Sequence, residues 1–201
     1  LGGRGSAATN NPAARPALAD RIEHCAECPP DLVTQVLRSR AWVVTQPGFV
    51  YWNGDRYRER VEPSLLDHLY PVGALARSGV AVAFGSDAPV IDPNPWPAIY
   101  SAVTGGTRSG AELSPAKGTG PGVGRRVSIE SALATYTVAG AGAEGSRNSK
   151  GTIRPGKLAD LVLLDVDPIT ASTAGLADIR PVLTVVGGRV AWTNGQVGME
   201  G

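Results

Sequence analysis

The stretch RIEHCAECPP, residues 21–30, contains two different kinds of chemistry within ten residues. His24 ends a short segment whose strand character is set only by its context, and a histidine at a strand end is a candidate metal ligand. Cys25 and Cys28 form a Cys-x-x-Cys pair, which suits a disulfide, a thiol redox site or a zinc site. The function of the chain depends on which of the two groups is used.

The composition indicates a globular chain with a small or neutral partner. The 201 residues are 42% hydrophobic and 18% charged, enough for a core in one large domain or two small ones. The 19 basic and 18 acidic residues nearly cancel, and two cysteines are too few for a disulfide framework. No apolar run approaches the roughly 20 residues that span a bilayer. We therefore expect a soluble, cytoplasmic protein with a small-molecule substrate and no nucleic-acid or membrane partner.

The beginning of the chain suggests that the sequence is the back part of a longer protein. The chain starts with Leu1, and its only methionine is Met199. Residues 1–20 are rich in Gly, Ala, Asn and Pro and have no periodicity, which predicts a flexible lead-in without functional residues.

Residues 21–150 alternate between predicted strands and helices, with a change of pattern at Gly151. The predicted order is a short strand over 21–24, a helix opening at Pro29–Pro30, a strand over 41–45, a polar loop, a helix through 65–75 with a kink or break at Pro71, a strand over 80–85, a helix after Pro97, a long loop over 105–126 and a helix capped by Ser128. Residues 151–201 predict antiparallel β structure, with a strand over 161–166 and a hairpin on Gly187–Gly188. The fold class is α/β with a β tail.

Two polar residues follow predicted strands, where functional groups collect in parallel α/β proteins. His24 follows the first strand, and Asp87 follows the strand that lies two strand–helix units of roughly 30 residues further on. Imidazole nitrogen and carboxylate oxygen are suitable ligands for zinc and similar divalent ions. The residues alone leave two interpretations open. One is a metal site, and the other is a hydrogen-bonded histidine and a helix-capping aspartate without a metal.

Five segments, in order, resemble the C-terminal half of the amidohydrolase superfamily and most closely its amidohydrolase-3 group. They are RIEHC, FGSDAPV, SIESALATY, KGTIRPGKLADLVLLDVDP and TVVGGRVAW, and together they run from about Arg21 to Trp192. The resemblance implies a distorted (β/α)8 TIM-like barrel flanked by a β-sandwich that is built from both chain ends. In that fold, residues 21–150 are barrel strands six to eight with their helices, and residues 151–201 are the sandwich segment.

The resemblance also implies a metal-dependent hydrolase of carbon–nitrogen bonds, such as those of non-peptide amides, with one or two divalent ions, zinc first. His24 matches the metal ligand of strand six. Asp87 matches the strand-eight aspartate, which contacts the metal and carries a proton from the attacking water to the leaving amine. In this scheme a metal-bound hydroxide attacks the carbonyl carbon, and the metal polarises the carbonyl oxygen.

The sequence also departs from the family pattern. In the family, the His-x-His of strand one, the bridging lysine or acid near strand four and the strand-five histidine lie N-terminal to the segment that RIEHC resembles, and residues 1–20 contain no replacement for them. The chain contains only two histidines. A site with His24 and Asp87 alone has two protein ligands, where a catalytic zinc usually has at least three. We therefore expect this chain by itself to bind metal poorly and to be inactive, with the N-terminal half of its own barrel as the missing partner.

Two other functions stay open. A non-catalytic remnant or binding module would have kept half of the fold and lost the site. A thiol redox protein would use Cys25 and Cys28, although residues 1–20 do not supply the strand–helix unit that precedes this motif in thioredoxin-like folds. A structural zinc on the cysteines and His24 lacks a fourth ligand, and the plainest explanation of the cysteines is packing.

Several other polar residues have a structural explanation beside a functional one. These are Gln46 (substrate hydrogen bond or strand termination), His68 (a surface or half-buried histidine), Asp92, Asn94 and Trp96 (pocket lining or a turn), Asp160, Asp165 and Asp167 (an exposed edge and turn) and the glycines of 118–124, a weak phosphate-loop signal.

Overall fold

The computed structural model describes residues 20–114 and 124–195, and three parallel strands form the first of its two sheets. These strands are β1 (Arg21–Glu23), β2 (Trp42–Thr45) and β3 (Ala81–Phe84), which lie side by side in chain order. Both neighbouring pairs are parallel. The expected mixed α/β architecture is confirmed. The predicted lead-in, apart from Asp20, and the glycines of 118–123 lie outside the described residues.

Helix α1 (Pro30–Ser39) makes the crossover from β1 to β2 and begins where the sequence predicts. Proline at its first position needs no amide donor, and Asp31 in the first turn complements the positive end of the helix dipole. Val33 and Val36 are buried on its inner face, where they pack in one cluster with Val43 of β2. The helix thereby covers one face of the parallel sheet.

Residues 48–60 correct the prediction of a polar loop, because they form helix α2 (Gly48–Arg60). Its buried positions are Gly48, Val50 and Gly54. Two of the three are glycines, so the helix backbone packs closely against its neighbours. A Cβ atom on Gly54 would lie 2.5 Å from the Thr107 side chain. Since close packing of this kind leaves no periodic apolar stripe, the sequence pattern did not reveal the helix.

The sequence predicts a helix through residues 65–75 with a kink or a break at Pro71. The structure shows a break, which covers residues 67–71. The helices on either side of it are α3 (Pro63–Leu66) and α4 (Val72–Arg77). Between them the chain runs beside the loop after β1, where Glu27 and Leu69 form an antiparallel bridge. Gly79 follows α4 with a φ of +83°, the left-handed conformation that glycine tolerates at a helix end.

A buried arginine ties this region to residues 124–128. Arg125 is 5% exposed, and its guanidinium donates to the carbonyl oxygens of Leu66 at 2.5 Å and of Leu69 at 2.9 Å. Burial lowers the pKa of Arg125 to about 10. The two carbonyl groups lie in the α3–α4 connection, so the arginine supplies the donors that this irregular backbone lacks.

Three further α-helices, one wider π-helical segment and one tighter 3-10 helix follow along the described chain. They are α5 (Pro95–Thr104), α6 (Ile129–Ala134), a π-helical segment (Thr135–Ala139), α7 (Gly140–Glu144) and a 3-10 helix (Thr173–Asp178). Ser128 accepts a hydrogen bond from the Ser131 amide and caps α6, as predicted. The main core cluster joins α5, β3, α6 and the 3-10 helix through Ile99, Phe84, Ala132 and Leu176, among others.

The second sheet is antiparallel and consists of β4 (Leu161–Leu164), β5 (Pro181–Val186) and β6 (Arg189–Thr193). Gly187 and Gly188 both have positive φ, the backbone of a two-residue hairpin turn, and the predicted hairpin is confirmed. The aspartates of the predicted cluster are exposed and serve the backbone: Asp160 accepts from the Gly187 amide, Asp165 from the Arg180 amide and Asp167 from the Ile169 amide.

The close approach of α4 to the segment before α6 can be tested with a matched pair of glycines. A Cβ atom on Gly73 would lie 2.4 Å from the carbonyl oxygen of Arg126, whereas one on the helical Gly140 would have its nearest neighbour at 3.9 Å. We expect Gly73→Ala to lower the free energy of unfolding by about 1–3 kcal/mol. Gly140→Ala should raise it by up to about 1 kcal/mol. Urea unfolding of both variants measures the two effects, and equal effects would contradict the close contact.

Candidate functional site

A polar residue follows each strand of the parallel sheet at the same edge. His24 follows β1, Gln46 follows β2, and Asp87 lies three residues beyond β3. The strand ends are level, since Thr45, the last residue of β2, pairs with Phe84, the last residue of β3. Because the carboxyl ends of parallel strands share an edge, the three side chains come from distant parts of the sequence to one place.

The imidazole of His24 lies between the side chains of Gln46 and Asp87. Its Nε2 atom is 4.0 Å from Oδ2 of Asp87, and its Nδ1 atom is 2.8 Å from Oε1 of Gln46. Gln46 is only 3% exposed, whereas the side chains of His24 and Asp87 are 45% and 37% exposed. The amide is therefore a buried support, and the imidazole and the carboxylate are the groups that a ligand can reach.

The orientation of the Gln46 amide determines which nitrogen of His24 carries the proton. Nε2 of Gln46 donates to the carbonyl oxygen of Val44 at 3.3 Å, so its Oε1 atom is the one that faces the imidazole. An amide oxygen only accepts, and Nδ1 of His24 must therefore be the donor. The neutral ring then has its lone pair on Nε2, the nitrogen that faces Asp87.

The backbone at both strand ends adopts a left-handed conformation that residues with a side chain rarely take. The φ angles are +68° at His24, +45° at Cys25 and +60° at Asp87. The amide of Cys25 donates to the carbonyl oxygen of Glu23 at 2.9 Å, which closes a tight turn around His24. Strained residues of this kind cost about 1–3 kcal/mol each and cluster at functional sites, so these angles support a functional role for this edge.

Aromatic side chains form a wall beside the imidazole. The Phe49 ring meets the His24 ring edge-on at a centroid distance of 6.2 Å and stacks on Tyr70 at 5.8 Å. The Tyr57 ring also stacks on Tyr70, with a centroid distance of 6.5 Å. Burial, with the nearby Tyr57, raises the pKa of Tyr70 well above its ordinary value, so this hydroxyl stays neutral.

A cleft of about 580 Å³ opens next to this wall, between α2 and the loop that follows Asp87. The amide of Val90 in that loop donates to the carbonyl oxygen of Asp87 at 2.8 Å. Aromatic and apolar side chains share the cleft with amide and charged groups: Phe49, Trp52, Asn53, Arg56, Tyr57, Val90, Ile91 and Asp92. The cleft therefore has room for an organic group within reach of the polar edge.

The aromatic wall and the cleft were missed by the sequence analysis, because it predicted a loop where α2 lies. A signal was present, since Phe49 and Tyr57 are eight residues apart and so lie on one face of a helix. The polar residues Asn53, Asp55 and Arg56 between these rings obscured it.

The two cysteines lie next to the site and within the second buried cluster. Cys28 is 2% exposed and packs with Val33 and Val36, while Cys25 is partly exposed. Their sulfur atoms are 2.6 Å apart and share a hydrogen bond, which lowers the pKa of Cys25 and raises that of Cys28. In the described part of the chain, no three His, Cys, Asp or Glu side chains come together closely enough to hold a metal ion.

The remaining candidates are held in structural roles. His68 is half-buried, as expected, but lies in the turn after α3, where its carbonyl oxygen accepts from the Cys28 amide. Asn94 caps α5 by accepting from the Trp96 amide, and Asp92 accepts from the Asn94 amide. The Trp96 side chain is 5% exposed and belongs to the main core. Asp92 shapes the turn and also lines the cleft.

Comparison with known proteins gives consistent matches. The family model described as "Amidohydrolase family" matches residues 4–192. The N-substituted formamide deformylase of Arthrobacter pascens is 31% identical over 147 residues, which are 73% of this chain and 26% of that protein. The putative amidohydrolase YtcJ of Bacillus subtilis (strain 168) is 26% identical over 175 residues, 86% of this chain and 32% of that protein. The chain thus spans about a quarter to a third of the length of these curated relatives.

Solved structures show the same fold. An uncharacterised metal-dependent hydrolase from Pyrococcus horikoshii OT3 superposes with a TM-score of 0.62 at 22% identity, covering 79% of this chain and 31% of that one. One from Pyrococcus furiosus gives 0.60 at 25% identity over 76% and 29%. An adenosine deaminase from Xanthomonas campestris with bound zinc gives 0.56 at 18% identity over 86% and 37%.

The tautomer of His24 can be observed directly. In alkaline solution, where imidazole is neutral, long-range ¹H–¹⁵N spectra should show the His24 proton on Nδ1, because Gln46 presents an acceptor there. Gln46→Leu removes the acceptor and should shift the population toward the Nε2 proton, whereas Gln46→Glu keeps an acceptor and should preserve it. His68 is the reference signal, as the chain has two histidines. A His24 proton on Nε2 in the unmodified chain would contradict the assigned geometry.

Proposed function

The chain belongs to the amidohydrolase family, and on this premise we propose that it is part of a metal-dependent hydrolase that cleaves carbon–nitrogen bonds in small non-peptide amides. The observation that carries the proposal is the approach of His24 Nε2 to Asp87 Oδ2, 4.0 Å, at the carboxyl edge of the parallel sheet. Two groups that are distant in sequence meet there, half exposed and beside a cleft of about 580 Å³.

The residues at this edge fit a divalent metal ion, zinc first. The lone pair on His24 Nε2 and the Asp87 carboxylate are ligand types that zinc accepts. Their separation is less than twice a zinc–ligand bond of about 2.1 Å, so one ion can contact both. The hydrogen bond from His24 Nδ1 to Gln46 is the outer support that metal-bound histidines usually have. We propose His24 and Asp87 as metal ligands and Gln46 as the positioning residue.

Asp87 is also the proposed proton carrier. A divalent ion, when bound, supplies Lewis acidity that polarises a carbonyl group and makes water a better nucleophile near neutral pH. The Asp87 carboxylate faces the same space as the imidazole and is 37% exposed, so it can accept a proton from the attacking water. Returning that proton to the nitrogen of the departing amine completes the cleavage of the carbon–nitrogen bond.

The cleft beside Phe49 is the proposed place for the substrate's substituent. Its walls combine the rings of Phe49, Trp52 and Tyr57 with the polar groups of Asn53 and Arg56. One relative carries the name N-substituted formamide deformylase, and a substituted amide of this class matches a cleft that combines aromatic and polar side chains next to the proposed hydrolytic centre. We propose an amide whose nitrogen or acyl substituent lies along α2.

The two proposed ligands are fewer than the three or more that a catalytic zinc usually has. β1 and β3 each pair with β2 alone within residues 20–114 and 124–195. We propose that residues 21–150 form strands six to eight of a (β/α)8 barrel and that residues 151–201 contribute to a β-sandwich. In this proposal a longer polypeptide supplies the other ligands, and the chain by itself is inactive. The alternative is a non-catalytic binding module, and it is also consistent with only two metal ligands in this chain.

In the full-length protein, the two proposed ligands should have separable effects. We expect one or two ions per chain by elemental analysis, and His24→Ala should lose at least one of them because a ligand is gone. Asp87→Asn should lower kcat for amide hydrolysis by about 10²–10⁴-fold, the usual contribution of a proton carrier.

His68→Ala is the matched control, since His68 lies outside the edge, and it should leave both metal content and kcat unchanged. Full metal content and full activity in both His24→Ala and Asp87→Asn would exclude this site. Loss of metal without any hydrolase activity in the unmodified protein would favour the binding module.

The 201-residue chain alone should bind zinc more weakly than the full-length protein. Losing direct ligands should cost more than the 10–100-fold in affinity that loss of an outer support costs. Competition titration with a zinc-binding dye measures both proteins, and the amidase assay should show no turnover by the chain alone. An equal zinc affinity would show that the 201-residue chain contains the whole metal site.

A further inference from the structure

We propose that Cys25 and Cys28 are a modification site, a thiol pair that closes reversibly into a disulfide next to His24. Both cysteines are free, and their sulfur atoms are 2.6 Å apart. This separation is only about 0.6 Å longer than a disulfide bond. The proposal does not depend on the hydrolase function, because it rests on the loop that joins β1 to α1.

The loop that contains the two cysteines is fixed from both sides by backbone hydrogen bonds. The Cys28 amide donates to the carbonyl oxygen of His68 at 2.9 Å, and the Tyr70 amide donates to that of Ala26 at 2.7 Å. The Cys25 amide is held by the carbonyl oxygen of Glu23. The fold therefore places the two thiols in contact, which raises the effective concentration of one thiol at the other.

The two sulfur atoms differ in access, and this difference assigns their roles. Cys28 is 2% exposed beneath α1, whereas Cys25 is partly exposed. An external oxidant thus meets Cys25 first, and Cys28 is the resolving thiol. This order of reaction requires only that one thiol is accessible, that the other is buried and that the two are in contact.

The oxidant is a small-molecule disulfide, such as glutathione disulfide. The Cys25 thiolate attacks one of its sulfur atoms, which breaks that S–S bond, releases one glutathione thiol and leaves a mixed disulfide on Cys25. Cys28 then loses its proton and attacks the Cys25 sulfur, which releases the second glutathione thiol. The two cysteines together give up two electrons and two protons, and the glutathione disulfide gains them.

The disulfide would lie next to the proposed metal centre, but neither cysteine is one of its proposed ligands. Cys25 directly follows His24, and its amide closes the tight turn around that residue. A covalent link from Cys25 to Cys28 therefore fixes the chain immediately beyond the imidazole. This is a stoichiometric change of the protein's own thiols and requires no redox substrate.

The test uses the 201-residue chain, glutathione disulfide as the probe and intact-mass spectrometry as the readout. After oxidation, the chain is denatured in N-ethylmaleimide so that every remaining thiol is labelled. We expect two labels before oxidation, none after it, a mass lower by two hydrogens, and one peptide linking Cys25 to Cys28. Dithiothreitol should restore two labels. Two labels after oxidation, glutathione on both cysteines, or links only between chains would overturn the proposal.

Single variants test the assigned roles, because each leaves one thiol in a chain that has two cysteines. Cys28→Ser should stop at a glutathione adduct on Cys25, whereas Cys25→Ser should remain largely unmodified because Cys28 is buried. Comparison of the unmodified chain with and without urea tests preorganisation and needs no variant. The folded chain should close its disulfide at an at least roughly tenfold lower ratio of oxidised to reduced glutathione. Equal ratios would show that the fold does not hold the pair together.

Discussion

The parallel register of β1, β2 and β3 is the constraint on which the candidate site depends. Alternate side chains of a strand point to opposite faces, so a slip of one residue in β2 would turn Gln46 away from His24. The pairings of Glu23 with Val44 and of Thr45 with Phe84 fix this register and thereby the relative positions of the first and third strand ends. The positions of the imidazole and the carboxylate thus depend on the backbone hydrogen bonds between the strands.

The surroundings of the site are held by contacts that lie outside it. The connection between α3 and α4 has irregular backbone, and Arg125 satisfies the carbonyl oxygens of Leu66 and Leu69 from within the core. The same connection carries Tyr70, whose ring supports Phe49 beside the imidazole. A buried charge about 55 residues further along the chain therefore helps to shape the aromatic wall, because an unsatisfied carbonyl group in this position would be costly.

The sequence predicted the parts of the fold that follow from periodicity and local signals. Prolines and Asp31 marked α1, Ser128 marked α6, and two glycines marked the β5–β6 turn. The spacing between His24 and Asp87 predicted that they share an edge. The periodic signal for helix α2 is weak, because two of its three buried positions, Gly48 and Gly54, contribute no apolar side chain. The choice between two roles for Gln46 also needed coordinates, because it depends on the direction of an amide group.

The left-handed backbone at His24 and Asp87 has a consequence for any attempt to engineer greater heat resistance. Glycine and asparagine adopt such angles at lower cost, so exchanging either residue for one of them would relieve strain and gain stability. Selection for thermal stability alone would therefore favour variants that have lost the His24 imidazole and the Asp87 carboxylate. A screen for stability should therefore keep His24 and Asp87 fixed and vary the rest of the chain.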